Sequence, residues 1–233
     1  MATEVVDREV SYPGKACTIK AFVSEPADGG PRPAVIVVQE WWGLNDHIRD
    51  VARRLAREGY IAIAPDLYSR QGHKATADPA TAGKLMGALK KEDGIEDLQT
   101  TIQFLRDQKQ THNAKIGVVG FCMGGSYAML LPCESKEIAA AAPFYGEIPS
   151  DDKLRKLNCP VFYAYGENDG WIQRKDVDRL AADLKKFDKP GEVKVYPGCA
   201  HGFFNDTRRD VYRPEEARDA WNHTLKLFKQ NLK

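Results

Sequence analysis

The amino-acid sequence predicts an α/β fold: a mainly parallel central sheet, helices on both faces, and an antiparallel hairpin at the N-terminal edge. Three observations carry this expectation. From Pro33 onward, short apolar runs alternate with segments whose apolar residues recur at helical spacing. Two of the runs, Ala-Val-Ile-Val-Val at 34–38 and Tyr-Ile-Ala-Ile-Ala at 60–64, show no polar alternation, the pattern of strands covered on both faces. Ahead of them, two strand-like stretches, 4–12 and 16–24, flank Pro13-Gly14, a turn pair that reads as a hairpin.

The elements follow in order. Residues 25–32 form a Pro/Gly loop before the strand at 34–38. Asn45 can cap a helix running to Glu58, with Ile48, Val51 and Leu55 on one face and Gly59 ending it. The strand at 60–64 is followed by a polar loop, 67–76, then by helical periodicity over 79–89 and 95–108, with Gly94 between the two. A strand at 116–119 enters the turn Gly120-Phe121-Cys122-Met123-Gly124, and a helix is expected to start just after Cys122. Strands at 138–144 and 161–165 come next, then a helix at 177–187, a short strand at 193–196, and a last helix at 213–230 with Pro214 in its first turn. No repeat, low-complexity tract or linker interrupts this pattern, so residues 1–233 read as one domain.

Composition narrows the function classes. Of the 233 residues, 42% are hydrophobic and 29% charged, and the formal net charge is +1. A balanced charge argues against nucleic acid or an anionic membrane as partner, both of which call for a clustered basic excess. Pairs such as Arg53-Arg54 and Lys185-Lys186 read as solvated helix faces. The opening MATEVVDREV carries acidic residues and no long apolar stretch, so no signal or transit peptide is expected. Five scattered cysteines lack disulfide or zinc-ligand spacing, which suits a cytoplasmic protein without a metal or an organic cofactor.

In parallel α/β sheets, sites gather at the carboxyl ends of the strands. Three loops there carry chemistry-bearing residues: Cys122 after 116–119, Asp169 after 161–165, and His201 after 193–196. The order nucleophile, acid, histidine is that of α/β-hydrolase triads. Glycines around Cys122 permit a sharp strand-to-helix turn, and the following helix aims its N-terminal amides at the sulfur, which favours thiolate. His201 can move a proton, and Asp169 can fix its tautomer. The Met123 amide lies where an acyl oxyanion would form, with a second donor expected from the loop after 34–38. Cys17, Cys133, Cys159 and Cys199 read as structural, and His47, His73, His112 and His223 have no matching context.

On these residues the chain resembles the dienelactone hydrolase (carboxymethylenebutenolidase) family of α/β-hydrolases. The resemblance runs through Gln39-Glu40-Trp41-Trp42-Gly43, Ala64-Pro65-Asp66-Leu67-Tyr68, the Gly-x-Cys-x-Gly-Gly turn, Phe144-Tyr145-Gly146, Gly166-Glu167-Asn168-Asp169 and the stretch 198–203. It implies a carboxylic ester hydrolase that opens lactones or small activated esters through a Cys122–His201–Asp169 triad and a thioester. It also implies that Glu40 holds the thiol at rest and helps form the thiolate, and that the Trp41 amide completes the oxyanion hole. Trp42, Tyr145, Phe203 and Arg208 are expected to line the substrate site. The family arginines that bind a substrate carboxylate are missing: 76–89 contains none, and the position four past His201 is Asn205. Arg208, Arg209, Lys74 and Lys84 are the candidate replacements. The implied partner is a small lactone or ester, and the chain is expected as a monomer or weak homodimer. Two rivals remain at this point: a non-catalytic hydrolase-fold protein that binds a ligand or partner, and a thioesterase or acyltransferase on the same triad.

Overall fold

The computed structural model describes residues 3–233. Eight strands form a mostly parallel sheet in the order β1-β2-β4-β3-β5-β6-β7-β8, where β1 is Val5–Pro13, β2 Thr18–Pro26, β3 Ala34–Val38, β4 Ile61–Pro65, β5 Ile116–Phe121, β6 Ile138–Phe144, β7 Val161–Asn168 and β8 Gly191–Ala200. The helices are α1 Asp46–Arg57, α2 Pro79–Ala88, α3 Lys91–Asp107, α4 Met123–Glu134, α5 Asp151–Leu154, α6 Arg174–Lys186 and α7 Pro214–Asn231. The chain divides into two compact units, one reaching Gly117 and the other Val118–Lys233.

In the first unit the expected hairpin forms, β1 pairing antiparallel with β2 from Val5↔Pro26 to Pro13↔Thr18. Residues directly opposite share a face. Asp7 and Glu9 therefore lie on one side with Phe22. There α1 covers them: Arg53 bonds Asp7, Arg49 bonds Glu9, and both guanidinium groups sit 4.9 Å from the Phe22 ring centre. Tyr12 lies on the other side, where its ring stacks on Phe104 of α3 at 4.3 Å and its hydroxyl pairs with Thr101 at 2.8 Å. β2 is thus largely buried while β1 keeps an exposed edge, and β3 and β4 are buried at every residue. Asn45 caps α1 by accepting from the Ile48 amide at 3.2 Å, and Gly59 leaves the helix at φ 91°. One expectation is corrected: α3 starts at Lys91 rather than at 95, so Gly94 lies inside it. The acidic Glu92 and Asp93 in its first turn favour the helix N-terminus and outweigh one glycine.

In the second unit the parallel register pairs Phe162 with Glu192 and Ala164 with Lys194, and α7 packs on that side. His223 stacks on Phe162 at 5.0 Å, and Asp219 accepts from the Tyr196 hydroxyl at 2.8 Å. α6 packs on the opposite side, where Leu184 lies against Gly191. Two strands run longer than the periodicity indicates: β7 reaches Asn168 and β8 spans Gly191–Ala200. Their exposed ends alternate too weakly to show in the sequence, and main-chain pairing with each other carries them on. The four-residue α5 has no periodicity to betray it. Among the described residues no helix is long and apolar enough to cross a membrane.

The first unit also holds a buried ionic anchor. Arg70, in a single 3-10 turn over Ser69–Gln71, grips Asp97 of α3 in a fork, Nε to Oδ2 at 3.0 Å and Nη2 to Oδ1 at 2.7 Å. Asp97 has 1% of its side chain exposed, so the arginine is its compensation for lost water. Arg70→Met should strand that carboxylate and destabilise the protein by about 3–5 kcal/mol. For a chain of this size that lowers the melting temperature by roughly 10 °C. Calorimetry should also show Arg70→Met/Asp97→Leu melting well above the single variant.

Candidate active site

Cys122 stands between β5 and α4 with φ 56° and ψ −121°, a conformation that L-residues rarely adopt. Such backbone costs on the order of 1–3 kcal/mol and persists only where the surroundings impose it. The surroundings are main chain and glycine. The Cys122 amide donates to the Phe144 carbonyl at 3.1 Å, and its own carbonyl accepts the first helical bond from Ser126 at 3.2 Å. A Cβ on Gly120 would strike the Gly124 carbonyl, and one on Gly125 would strike the Phe144 carbonyl that holds Cys122. Ser126 Oγ accepts from the Glu147 amide at 2.8 Å, tying the first turn of α4 to the loop after β6. The cysteine is therefore presented at the head of a helix, with Met123 as that helix's first residue.

Asp169 follows β7, and its carboxylate is fully used. Oδ1 accepts from the Trp171 and Ile172 amides at 2.8 and 2.9 Å, while Oδ2 meets His201 Nδ1 at 2.8 Å. None of the side chain is exposed, against 22% for His201. The two loops are tied in two further places. Gly198 donates to Glu167 Oε2 at 3.1 Å, and Gly166 lies so close to β8 that a Cβ would come within 2.8 Å of the Ala200 carbonyl. Strand pairing has a bulge between Gly166 and Asn168, which re-aims the chain just before the acid.

Two aromatic rings hold the imidazole edge-to-face: Tyr145 at 4.9 Å and Trp171 at 5.4 Å between ring centres. Tyr145 is buried at φ 38°, its amide donating to Ala164 at 2.8 Å. Phe203, expected along the substrate site, is completely buried and packs against Tyr145 and Tyr196. Arg208 is partly exposed; its Nη2 donates to Asp210 at 2.8 Å, and its Nη1 lies beside Gly202, the residue after His201. Asp210 is held below the usual carboxylate range chiefly by that arginine.

In the first unit, Glu40 is buried and opens a tight turn, with the Gly43 amide donating to the Glu40 carbonyl at 3.2 Å. A trans peptide sets its N–H opposite its C=O, so this bond turns the Trp41 amide away from the inside of the turn. The Trp41 carbonyl accepts from the Tyr68 hydroxyl at 2.8 Å, and the Trp42 carbonyl accepts from the Thr76 amide at 2.9 Å. Trp41 and Trp42 are half-buried, with ring centres 4.8 Å apart.

The other four thiols are all shifted by burial. Burial pushes the Cys133 and Cys159 thiols up to about 12 and that of Cys199 up to about 11, and it raises Cys17 as well. None of the five cysteines forms a disulfide. Among the described residues no three His, Cys, Asp or Glu side chains are gathered to hold a metal ion.

A family model for the dienelactone hydrolase family matches residues 19–232. This chain belongs to that family. It is 33% identical to a candidate carboxymethylenebutenolidase of Aquifex aeolicus over 96% of this chain and 98% of that protein. It is 35% identical to the protein usf of Aquifex pyrophilus, with the same coverage. A crystal structure of a candidate dienelactone hydrolase from Klebsiella pneumoniae superposes with a TM-score of 0.90 at 32% identity, covering 97% of this chain and 99% of the other.

The sequence reading missed Glu167 and Trp171. Both flank the acid in the stretch Glu167-Asn168-Asp169-Gly170-Trp171, so proximity to Asp169 was the available signal. The glycine packing makes a test. Gly125→Ala should destabilise the protein by about 1–3 kcal/mol, because only main chain can yield to the new methyl group. Gly87→Ala, in α2 with open space around it, should stabilise by several tenths of a kcal/mol. Thermal melting of the two variants reads the contrast.

Proposed function

We propose that this protein hydrolyses lactones or small activated esters, with Cys122 as nucleophile, His201 as base and acid, and Asp169 as the group that orients His201. The observation that carries the reading is the 2.8 Å contact between His201 Nδ1 and the buried Asp169 carboxylate, in the same unit as a cysteine held in a strained strand-to-helix turn. With Nδ1 committed, Nε2 is the nitrogen that moves protons. Membership of the dienelactone hydrolase family supports an ester-bond hydrolase, and the small-molecule substrate follows from it.

The steps balance as follows. Nε2 takes the thiol proton, and the sulfur attacks the ester carbonyl carbon. The tetrahedral intermediate collapses to a thioester on Cys122, and the alcohol oxygen leaves with the proton from His201. In a lactone that oxygen stays tethered to the acyl group. Water then gives a proton to Nε2 and attacks the thioester, releasing the acid and restoring the thiol. Helix amides at the head of α4 favour the thiolate. Glu40, Trp41 and Met123 keep the roles the family resemblance assigns: thiol partner for Glu40, and amide donors to the oxyanion for the other two. We further propose a cytoplasmic setting, which five cysteines without a disulfide support.

Cys122→Ala should keep the wild-type melting profile within about 1 °C or melt higher, since it relieves no buried pairing among the triad's other members, and should lose several orders of magnitude in p-nitrophenyl acetate turnover. Full turnover in that variant would sink the assignment. Iodoacetamide at neutral pH should label Cys122 ahead of Cys133, Cys159 and Cys199, whose thiols burial keeps protonated; peptide mass mapping over time checks the order. Asp169→Asn keeps an oxygen for the Trp171 and Ile172 amides but presents an N–H to His201 Nδ1. It should fold normally and lower kcat by roughly 10²–10⁴.

A further inference from the structure

Nδ1 of His201 is taken by Asp169, and the two rings that flank the imidazole differ sharply in exposure. Tyr145 is completely buried, whereas Trp171 is 36% exposed. The main chain that carries Trp171 is held in place: its amide and that of Ile172 both bond Asp169 Oδ1, and the Tyr165 hydroxyl donates to the Ile172 carbonyl at 3.2 Å. The more exposed ring beside the imidazole is therefore an indole carried on an anchored main chain, edge-to-face with His201 at 5.4 Å. A scattered surface aromatic needs no explanation. The main chain of this one is fixed by the same carboxylate that meets the histidine, and its ring rests against the imidazole.

From this geometry we infer that Trp171 is a specificity-determining residue that contacts the alcohol part of the substrate and favours planar, unsaturated or aryl leaving groups. The inference rests on the hydrolase reading above. In that reading His201 delivers a proton to the departing oxygen, so the oxygen and its substituent lie against the imidazole. A substituent that extends from there toward solvent runs along the indole. A flat π-system stacks on that surface with more area and a better quadrupole match than a short alkyl chain.

Two esters with a common acetyl group isolate the leaving group: phenyl acetate and ethyl acetate. Their acyl-enzymes are identical, so kcat/KM reports the step in which the alcohol is still present. The ratio of kcat/KM for phenyl acetate to that for ethyl acetate should fall about tenfold in Trp171→Ala and much less in Trp171→Phe, which keeps a flat ring. An unchanged ratio overturns the inference. So does an equal loss on both esters with a displaced pH profile, because Trp171 would then serve only to position His201. Binding separates failure here from failure of the hydrolase reading. In the Cys122→Ala background, saturation-transfer NMR should show phenyl acetate binding weakened about tenfold by Trp171→Ala. Equal binding with and without the indole overturns the inference whatever the wild-type activity. Wild-type protein that turns over neither ester, while the indole still governs phenyl acetate binding, overturns only the hydrolase reading.

Discussion

The Phe144 carbonyl is where the turn at Cys122 is decided. It accepts the Cys122 amide, and the Cα of Gly125 packs so closely on it that no side chain fits between. A left-handed, non-glycine residue cannot hold its own conformation; the strain must be opposed by packing that has no softer way to yield. Here the opposing parts are main chain on both sides, β6 and the first turn of α4. Backbone is the least compressible material the fold has, so the thiol is placed within narrow limits. The glycines around the turn thus make room for main chain: Gly120 for that of Gly124, and Gly125 and Gly146 for each other and for the Phe144 carbonyl.

A second constraint positions Asp169 and His201. The Asp169 carboxylate has no exposed surface, and its two oxygens are divided between one imidazole nitrogen and two main-chain amides. A buried carboxylate is tolerable only when its oxygens are satisfied, so the acid, the loop 169–172 and the histidine stand or fall together. Glu167 and the bulge before Asn168 fasten that loop to the end of β8, from which His201 emerges. The same carboxylate holds the Trp171 amide, so the main chain that carries the indole and the imidazole share one anchor.

Where substrate anions would bind follows a different logic. The arginines expected of the family are absent from 76–89 and from position 205. Arg208 lies close to the histidine loop, but one side of its guanidinium faces Asp210. A paired, partly solvated arginine offers less to a carboxylate than an unpaired one in a dry pocket.

The sequence by itself determined the alternation of strands and helices, the hairpin, the cap at Asn45, and the three loops that carry Cys122, Asp169 and His201. These are local: apolar runs, turn residues and helical spacing act within a few positions. It left α3 four residues short and β7 and β8 clipped, because the added residues owe their state to neighbouring main chain or helix-end charge rather than to their own pattern. It gave no separate role to Trp171 or Glu167, and it did not show that the Phe203 ring is completely buried. Only the tertiary structure decided these. Whether an aromatic side chain is wall or core depends on what packs over it, and whether a carboxylate meets an imidazole 32 positions away depends on strand register, a long-range quantity that no short window of residues encodes.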